Sequence, residues 1–574
     1  MALEKSAFQN KNLDLKWNRS RRLGDIEWLA IAVSLFIVHA AFFRKLMFTG
    51  WCCDGAGYQE IARHITSHGM FSSEAFNDMR TYGYPLVLSL LGLVERVTSI
   101  PLTLLSTEFQ AGIYLLAAWL LRNEIQRIDL RLGRWVFVVL CLNVFVLTYA
   151  AETLTESPTL SIILLLASCW LWSVRRFRSR RWALTALAGG VLAGFSVMVR
   201  PANLFLPVAW IAGQATLMMF RRVGPRPGER VRRVAVFVLT LTAIAAPSVP
   251  QLYNNIVFGH KATPLVAFDQ GRDTIAWGVR HLKFVTGLPP VSNVDVPYIN
   301  PYAIHTNSSS PLSWYRDNPA AGIKTIFWHS FALIDQDFIY PYVVDLSPSY
   351  RIPLALINHI GIGLAVYALW LWLKAARRPG KGRPILRINA PFTACYILGV
   401  FAVYCTVRVD ARYGLPLILL AGALAVPAVR HLKQLPVRRL IVPAVAVAVY
   451  TTAAIAASGW MRSLAPLISG VPSRPALESF AVMKSPSPGT ALPGSKVTFE
   501  WSAPADADHY WLDVGTTAGK GEIFASATKN TSQTVMGIPC DGRPIYVQLY
   551  TGLLGHWIFH RLYTYTAPTG CTAK

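Results

Sequence analysis

The sequence predicts an α-helical polytopic membrane protein of about eleven transmembrane helices that carries a C-terminal all-β sandwich. Three observations predict it. The chain is 53% hydrophobic and only 15% charged over 574 residues, with a mean hydropathy of +0.38, which is multi-span rather than soluble composition. Roughly thirty of its Lys and Arg residues fall in six short stretches between apolar runs, as the positive-inside rule requires: Lys5 to Arg22, Arg122 to Arg134, Arg175 to Arg181, Arg221 to Arg233, Lys374 to Arg387 and Arg430 to Arg439. From about residue 474 the pattern changes to short alternating runs separated by turn residues, as in a small antiparallel sandwich. The net charge of +25 therefore reports topology, and basic clusters flanking spans leave nothing for nucleic-acid binding to explain.

Residues 1–27 form a basic N-terminus, placed on the cytoplasmic side by its charge. Trp28 to Phe43 reads as a signal anchor, because no small-residue cleavage site follows it. Further spanning runs are expected at 103–121, 135–151, 158–174, 182–198, 202–220, 234–250, 353–373, 389–406, 414–429 and 440–457. Their alternation puts every basic stretch on one side. The loops 44–102 and 251–352 and the C-terminus fall on the other, giving a membrane core over 28–457. The run Tyr84 to Val94 is too short to span and ends at Glu95-Arg96, so it reads as a juxtamembrane helix. Were it to span, Arg122 to Arg134 would move outside. The 251–352 loop, with Trp277, Trp314, Trp328, Tyr340 and Tyr342, is long enough to be functional or separately folded.

A linker covers 458–473, and the external domain covers 474–574. Its strands are expected at Lys496 to Trp501, Tyr510 to Val514, Gln533 to Met536, Ile545 to Tyr550 and Trp557 to Tyr565. Of eight cysteines, Cys141, Cys169, Cys395 and Cys405 sit in apolar runs and behave as small hydrophobes. Cys540 and Cys571 lie externally, where a disulfide can persist. Cys52 and Cys53 are adjacent and match no zinc spacing.

The first external loop holds the most suggestive chemistry. It runs Trp51-Cys-Cys-Asp54-Gly-Ala-Gly-Tyr58-Gln-Glu60-Ile-Ala-Arg63-His64 and on to Met79-Arg80-Thr-Tyr82-Gly-Tyr84-Pro85. Asp54 with Tyr58 and Ile61-Ala62, then Arg80 ahead of Tyr84-Pro85-Leu86, resembles the first external loop of the GT-C membrane glycosyltransferases, a superfamily that includes protein O-mannosyltransferases and lipid A aminoarabinose transferases. Leu154-Thr155-Glu156-Ser157-Pro158 resembles their second external loop. Val199-Arg200-Pro201 and Asp410-Ala-Arg412-Tyr413-Gly-Leu-Pro416 resemble two further junctions, so the likeness runs over about 25–430. The C-terminal region resembles a fibronectin type III or immunoglobulin-like module, an addition to the simplest members.

The resemblance implies transfer of a sugar from a polyprenyl-phosphate carrier to an acceptor (protein, lipid A or polysaccharide) at the external face of a bacterial inner membrane. It implies Asp54 as general base; a loop carboxylate capping a helix is the plainer reading. Glu156 becomes the second acid, placing the acceptor or a divalent metal, though a Glu also suits the first turn of a span. Glu152 competes for that role. Arg80, Arg200 and Arg412 are candidate phosphate ligands, since a guanidinium presents a planar donor fork; interfacial arginines that snorkel to headgroups have the same look. Tyr58, Tyr82 and Tyr413 are candidate lining residues, and aromatic belts place Tyr at interfaces too. His64 and His68 read as helix-surface residues. Asp335 and Asp337 are a weak metal pair, and His39 is an intramembrane polar group.

An inverting displacement needs one base and no covalent intermediate. The competing readings are a lipid or sugar transporter or flippase, and a scaffold whose business is the sandwich. Against a transporter, the sequence has no inverted repeat and few ionisable residues at mid-span.

Overall fold

The computed structural model describes residues 24–43, 53–177, 181–219, 229–266, 268–288, 291–302, 311–335, 351–377, 384–463, 481–503, 507–517, 521–553 and 556–570. The chain divides into two compact units, one of 1–280, 302–338 and 349–457, the other of 281–301, 339–348 and 458–574.

The first unit is helical. Among the described residues, eight of its helices are long and apolar enough to cross a membrane, and each coincides with one expected run. They are Leu102–Gln126, Glu156–Arg176, Arg181–Val199, Pro201–Met219, Val231–Val257, Ile352–Ala376, Arg412–Leu432 and Val437–Met461. The remaining runs are helical with differences. The expected span 135–151 is two helices, Leu130–Cys141 and Val144–Ala150, bent by 55°. Asn143 causes the break: its side chain accepts from the Val146 N–H at 3.3 Å and so starts a new helix. The run 389–406 corresponds to the helix Pro384–Tyr404, whose apolar part is Ile388–Tyr404. Residues 24–36 are helical and pass into a π-helical turn, Ile37–Phe43.

Tyr84 to Val94 lies in the helix Gly83–Thr98, below spanning length. It ends where Ser99 turns left-handed (φ 59°) and donates to the Glu95 carbonyl. The Glu95 carboxylate then accepts the Leu102 N–H at 2.8 Å, which opens the next helix.

Small residues set the helix spacing. Ala186, Gly189, Ala193 and Gly194 are buried in Arg181–Val199, and small residues let helix backbones approach closely in a bilayer. Three buried indoles of the helix packing are satisfied: Trp170 donates to Asn389 Oδ1 (2.8 Å), Trp182 to Gln214 Oε1 (3.1 Å) and Trp210 to the Ala186 carbonyl (3.2 Å). An unpaired indole N–H in such surroundings costs about 1–3 kcal/mol.

The second unit begins with a hairpin, β1 (His281–Leu288) and β2 (Val291–Ile299), drawn from the 251–352 loop, so this unit is wider than 474–574. Seven further strands follow: β3 (Met483–Ser485), β4 (Lys496–Trp501), β5 (Ala507–Gly515), β6 (Phe524–Thr528), β7 (Ser532–Met536), β8 (Pro544–Leu553) and β9 (His556–Thr566). They form a three-stranded sheet, β3-β4-β7, and a four-stranded sheet, β6-β5-β8-β9. Alternation along β4 turns Val497, Phe499 and Trp501 inward, where they meet Tyr510, Leu512 and Val514 of β5 and Ile545, Val547 and Leu549 of β8. The five expected strands are all present; β3 and β6 complete the sandwich. Cys540 is disulfide-bonded, and Cys571 lies outside the described residues.

Candidate active site at the acid-bearing rim

Local chemistry brings Asp54 and Arg80 together. Asp54 occupies the first turn of the helix Cys53–His68, a favourable place for a carboxylate at the positive end of the helix dipole. The Asn77 side chain accepts the backbone N–H groups of Met79 (2.9 Å) and Arg80 (2.8 Å). That turn returns Arg80 to the helix, and its Nη2 donates to Asp54 Oδ1 at 2.9 Å. Gly57 leaves room for this approach: a Cβ there would sit 2.6 Å from Arg80 Nη1 and displace the guanidinium. The same guanidinium lies 5.0 Å from the Tyr58 ring centroid, within cation–π range.

Glu156 heads the helix Glu156–Arg176 and is buried. Arg200 is extended (φ −154°, ψ 117°) between two helices, as a residue before proline prefers. Its Nη1 donates to Glu156 Oε1 at 2.8 Å. Asn203 holds this junction by donating to Thr159 Oγ1 and to the Ser196 carbonyl, each at 2.9 Å.

Arg412 is fixed by its own turn. Asp410 accepts from the Arg412 backbone N–H (3.2 Å) and Nε (3.1 Å). Gly414 ends the turn against the Leu333 carbonyl, where a Cβ would overlap at 1.6 Å. Thus positioned, Arg412 donates from Nη1 to Asp54 Oδ2 at 3.2 Å, and its Nε lies 3.5 Å from Glu156 Oε1. One arginine bridges three carboxylates.

These groups face a cavity of roughly 490 Å³. Among the described residues, four guanidiniums (Arg80, Arg200, Arg408 and Arg412) and two carboxylates (Asp54 and Glu156) line it. Aromatic rings supply the walls. Tyr404 and Tyr413 stack at 4.8 Å, with Arg200 4.8 Å from the Tyr413 centroid, and Arg408 lies 5.0 Å from the Trp277 ring.

The electrostatics follow from this packing. Burial pushes the Asp54 carboxyl up, but the Arg412 and Arg80 guanidiniums more than offset it and hold the group below its usual range. Its side chain stays 39% exposed through the cavity, so water and ligands reach it. Burial, with the nearby Asp54 and Glu156 charges, pushes the Tyr58 hydroxyl up, so Tyr58 stays protonated and can donate.

Seven of the nine residues singled out from the sequence converge here: Asp54, Tyr58, Arg80, Glu156, Arg200, Arg412 and Tyr413. Tyr82 and Glu152 do not line the cavity. The Tyr82 hydroxyl donates to the Pro247 carbonyl at 2.6 Å, and its ring packs on Val197 and Met198. Its polar tip is thus satisfied inside the helix packing. Glu152 is buried behind the rim. Burial and the neighbouring Glu156 charge push its carboxyl well up, and its Oε1 has no hydrogen-bond partner. That describes a neutral acid without access to the cavity.

Asp335 is buried opposite His359, with Oδ1 3.5 Å from Nε2, and Asp337 lies outside the described residues. His64 and His68 stack at 6.1 Å on their helix, and His39 pairs with Glu108 at 2.9 Å. Among the described residues no three of His, Cys, Asp or Glu are grouped so as to hold a metal ion. The carboxylates at the rim are held by arginines, so this donor set does not fit a resident divalent metal. Asp410, Arg408, Trp277 and Tyr404 belong to the site and were not chosen from sequence. Arg408 and Asp410 stand within four residues of Arg412, which is the signal that could have found them.

No family model matches this chain, and no curated protein matches it. Two solved structures of the Archaeoglobus fulgidus oligosaccharyltransferase are similar to it. One is tethered with an acceptor peptide containing the NVT sequon; its TM-score is 0.42 at 13% identity, covering 84% of this chain and 62% of that one. The other is a complex with Zn and sulfate, with a TM-score of 0.41 at 12% identity, covering 76% of this chain and 52% of that one. The chain thus spans less than two thirds of the length of either. Overlap at that level says nothing about chemistry. The fold and the rim themselves define a multi-pass membrane protein with an anion-attracting, acid-bearing cavity at one end of its helices.

Proposed function

We propose that this protein is a membrane glycosyltransferase of the GT-C type. It moves a sugar from a polyprenyl-phosphate-linked donor to an acceptor on the face opposite the basic stretches. The observation that carries the reading is Asp54, held between Arg80 and Arg412 at a cavity where guanidiniums outnumber carboxylates. Such a surplus favours an anionic ligand, and planar forks suit its phosphate oxygens.

The reaction is a single displacement. The acceptor oxygen attacks the anomeric carbon, the carbon–oxygen bond to the phosphate breaks, and that electron pair leaves with the phosphate. The acceptor proton passes to Asp54. Configuration inverts because no covalent intermediate forms. Arg80, Arg200 and Arg412 stabilise charge on the departing phosphate. The pairing of Asp54 also gives the donor a second role. A carboxylate engaged by two guanidiniums is a weak base, and a donor phosphate is a rival counter-ion for the same two arginines. As they turn to phosphate, Asp54 loses its partners and gains basicity when the substrate is present.

The test is complementation of a deletion strain with wild-type or Asp54→Asn protein, read by mass spectrometry of glycans and lipid-linked sugars. The reading expects Asp54→Asn to leave a glycoform missing while intact lipid-linked donor accumulates. Restoration of the glycoform by Asp54→Asn would favour a transporter whose carboxylate does no chemistry.

A further inference from the structure

A second cavity lies at the other end of the helical unit, among the helices Arg351–Arg377, Leu415–Leu432 and Val437–Ser463. Its volume is about 850 Å³. Lys374, His431 and Arg439 form its rim, and among the described residues no Asp or Glu lines it. The Lys374 ammonium sits 4.8 Å over the Trp370 ring, and the Tyr367 hydroxyl meets His431 Nδ1 at 3.0 Å. Below the rim the lining turns apolar, through Leu371, Val442, Pro443 and Ala446.

An apolar strip on one face of the Val437–Ser463 helix continues from it. Cavity and strip share Val442 and Ala446, and the strip runs on past Val445 to Val449. From Arg439 to Val449 is about 15 Å of helix, which is half the hydrocarbon thickness of a bilayer. The helix that forms this wall is lightly covered: 11% of its most apolar window is buried. It reaches the Arg351–Arg377 helix at Val447 and Tyr450, opposite Gly363 and His359.

From this geometry we propose that the groove binds an anionic phospholipid of the leaflet on the basic side. The phosphate sits between Lys374 and Arg439, and one acyl chain lies along Val442 to Val449. A basic mouth, an interfacial Trp and an apolar strip one leaflet long match the three parts of such a lipid. A soluble phosphate would use the mouth and leave the strip without purpose; a partner helix would have no need of two cations that, among the described residues, have no acidic neighbour in the groove.

The experiment measures association of spin-labelled phosphatidylglycerol, relative to phosphatidylcholine, with the full-length protein in vesicles of mixed composition. The double variant Lys374→Gln with Arg439→Gln should lower that preference at least about fivefold. Lys433→Gln with Arg438→Gln, which removes the same charge from the same end of the helices outside the groove, should leave it unchanged. Ala446→Trp, which fills the apolar floor that cavity and strip share and keeps both cations, should lower it as the first pair does. Equal loss from both charge pairs would reduce the effect to diffuse surface potential and overturn the site. Full retention in Ala446→Trp would overturn the acyl seat. Thermal unfolding of each variant separates loss of lipid from loss of fold.

Discussion

At the basic end of the helices Glu27 accepts from Arg122 Nε (2.9 Å) and Nη2 (2.6 Å), with Arg134 4.0 Å away. At the other end Asp54 accepts from Arg80 and Arg412, and Glu156 from Arg200. The same pairs of groups are used at both ends of the same helices. Glu27, and Glu124 with Arg175 at 2.6 Å, tie helix to helix. At the acid-bearing rim the arginines also face a cavity, lie against Tyr58 and Tyr413, and outnumber the carboxylates lining it. An ion pair becomes a binding site when a ligand can reach it and compete for one partner. Without that access it is a clamp, and removing one partner leaves a stranded charge.

The largest effect expected is at Asp54. Asp54→Asn keeps the shape and removes the base, so turnover falls about a thousandfold, within the range for general-base loss, while donor binding is kept or tightened because Arg80 and Arg412 lose their resident counter-ion. Transfer from a purified polyprenyl-phosphate sugar, with donor binding measured in parallel, checks both halves.

Glu27→Gln at the opposite end strands Arg122 and Arg134, whose side chains are 17% and 14% exposed. Stability should fall by about 3 kcal/mol, read from thermal or denaturant unfolding, with transfer per folded molecule unchanged. A drop in turnover at equal folding would erase the distinction between the two ends.

Arg412→Lys sharpens it. Lysine keeps the charge but cannot serve Asp54, Glu156 and Asp410 together, so the KM for donor should rise about tenfold.

The smallest effect is in the pH profile. Asp54 titrates below its ordinary 3.8 because Arg412 and Arg80 oppose burial. The acid limb of kcat/KM for the wild type should therefore lie below that value. The stability gained from the pairing is present above the unfolded value and is lost as pH falls through the lowered one. Arg80→Gln removes one guanidinium and should move the limb upward. If phosphate draws the arginines away, the acid limb of kcat also lies above that of kcat/KM; coincident limbs would count against the exchange of counter-ions.

Much of this was legible in the chain because it is written locally. Apolar runs of spanning length, basic stretches between them and period-two strands such as Lys496 to Trp501 depend on neighbours a few residues away. The β1–β2 hairpin was not legible: Pro297 interrupts the second strand's pattern, and proline within a run argues against a strand. The bend at Asn143 was hidden in continuous apolar sequence.

By itself, then, the sequence determined that the chain is helical and membrane-spanning, that it carries a β-sandwich, and which residues could do chemistry at one end. Tertiary packing decided which of them meet. Asp54 and Arg412 are 358 positions apart, and the turn that carries Arg412 packs at Gly414 against the Leu333 carbonyl, where a Cβ has no room. Tyr82 and Glu152 had the right types at the right places along the chain and turned inward, one to a carbonyl partner and one to a neutral burial. Residue type and spacing fix what a side chain can do; the direction it faces is set by the helices that close around it.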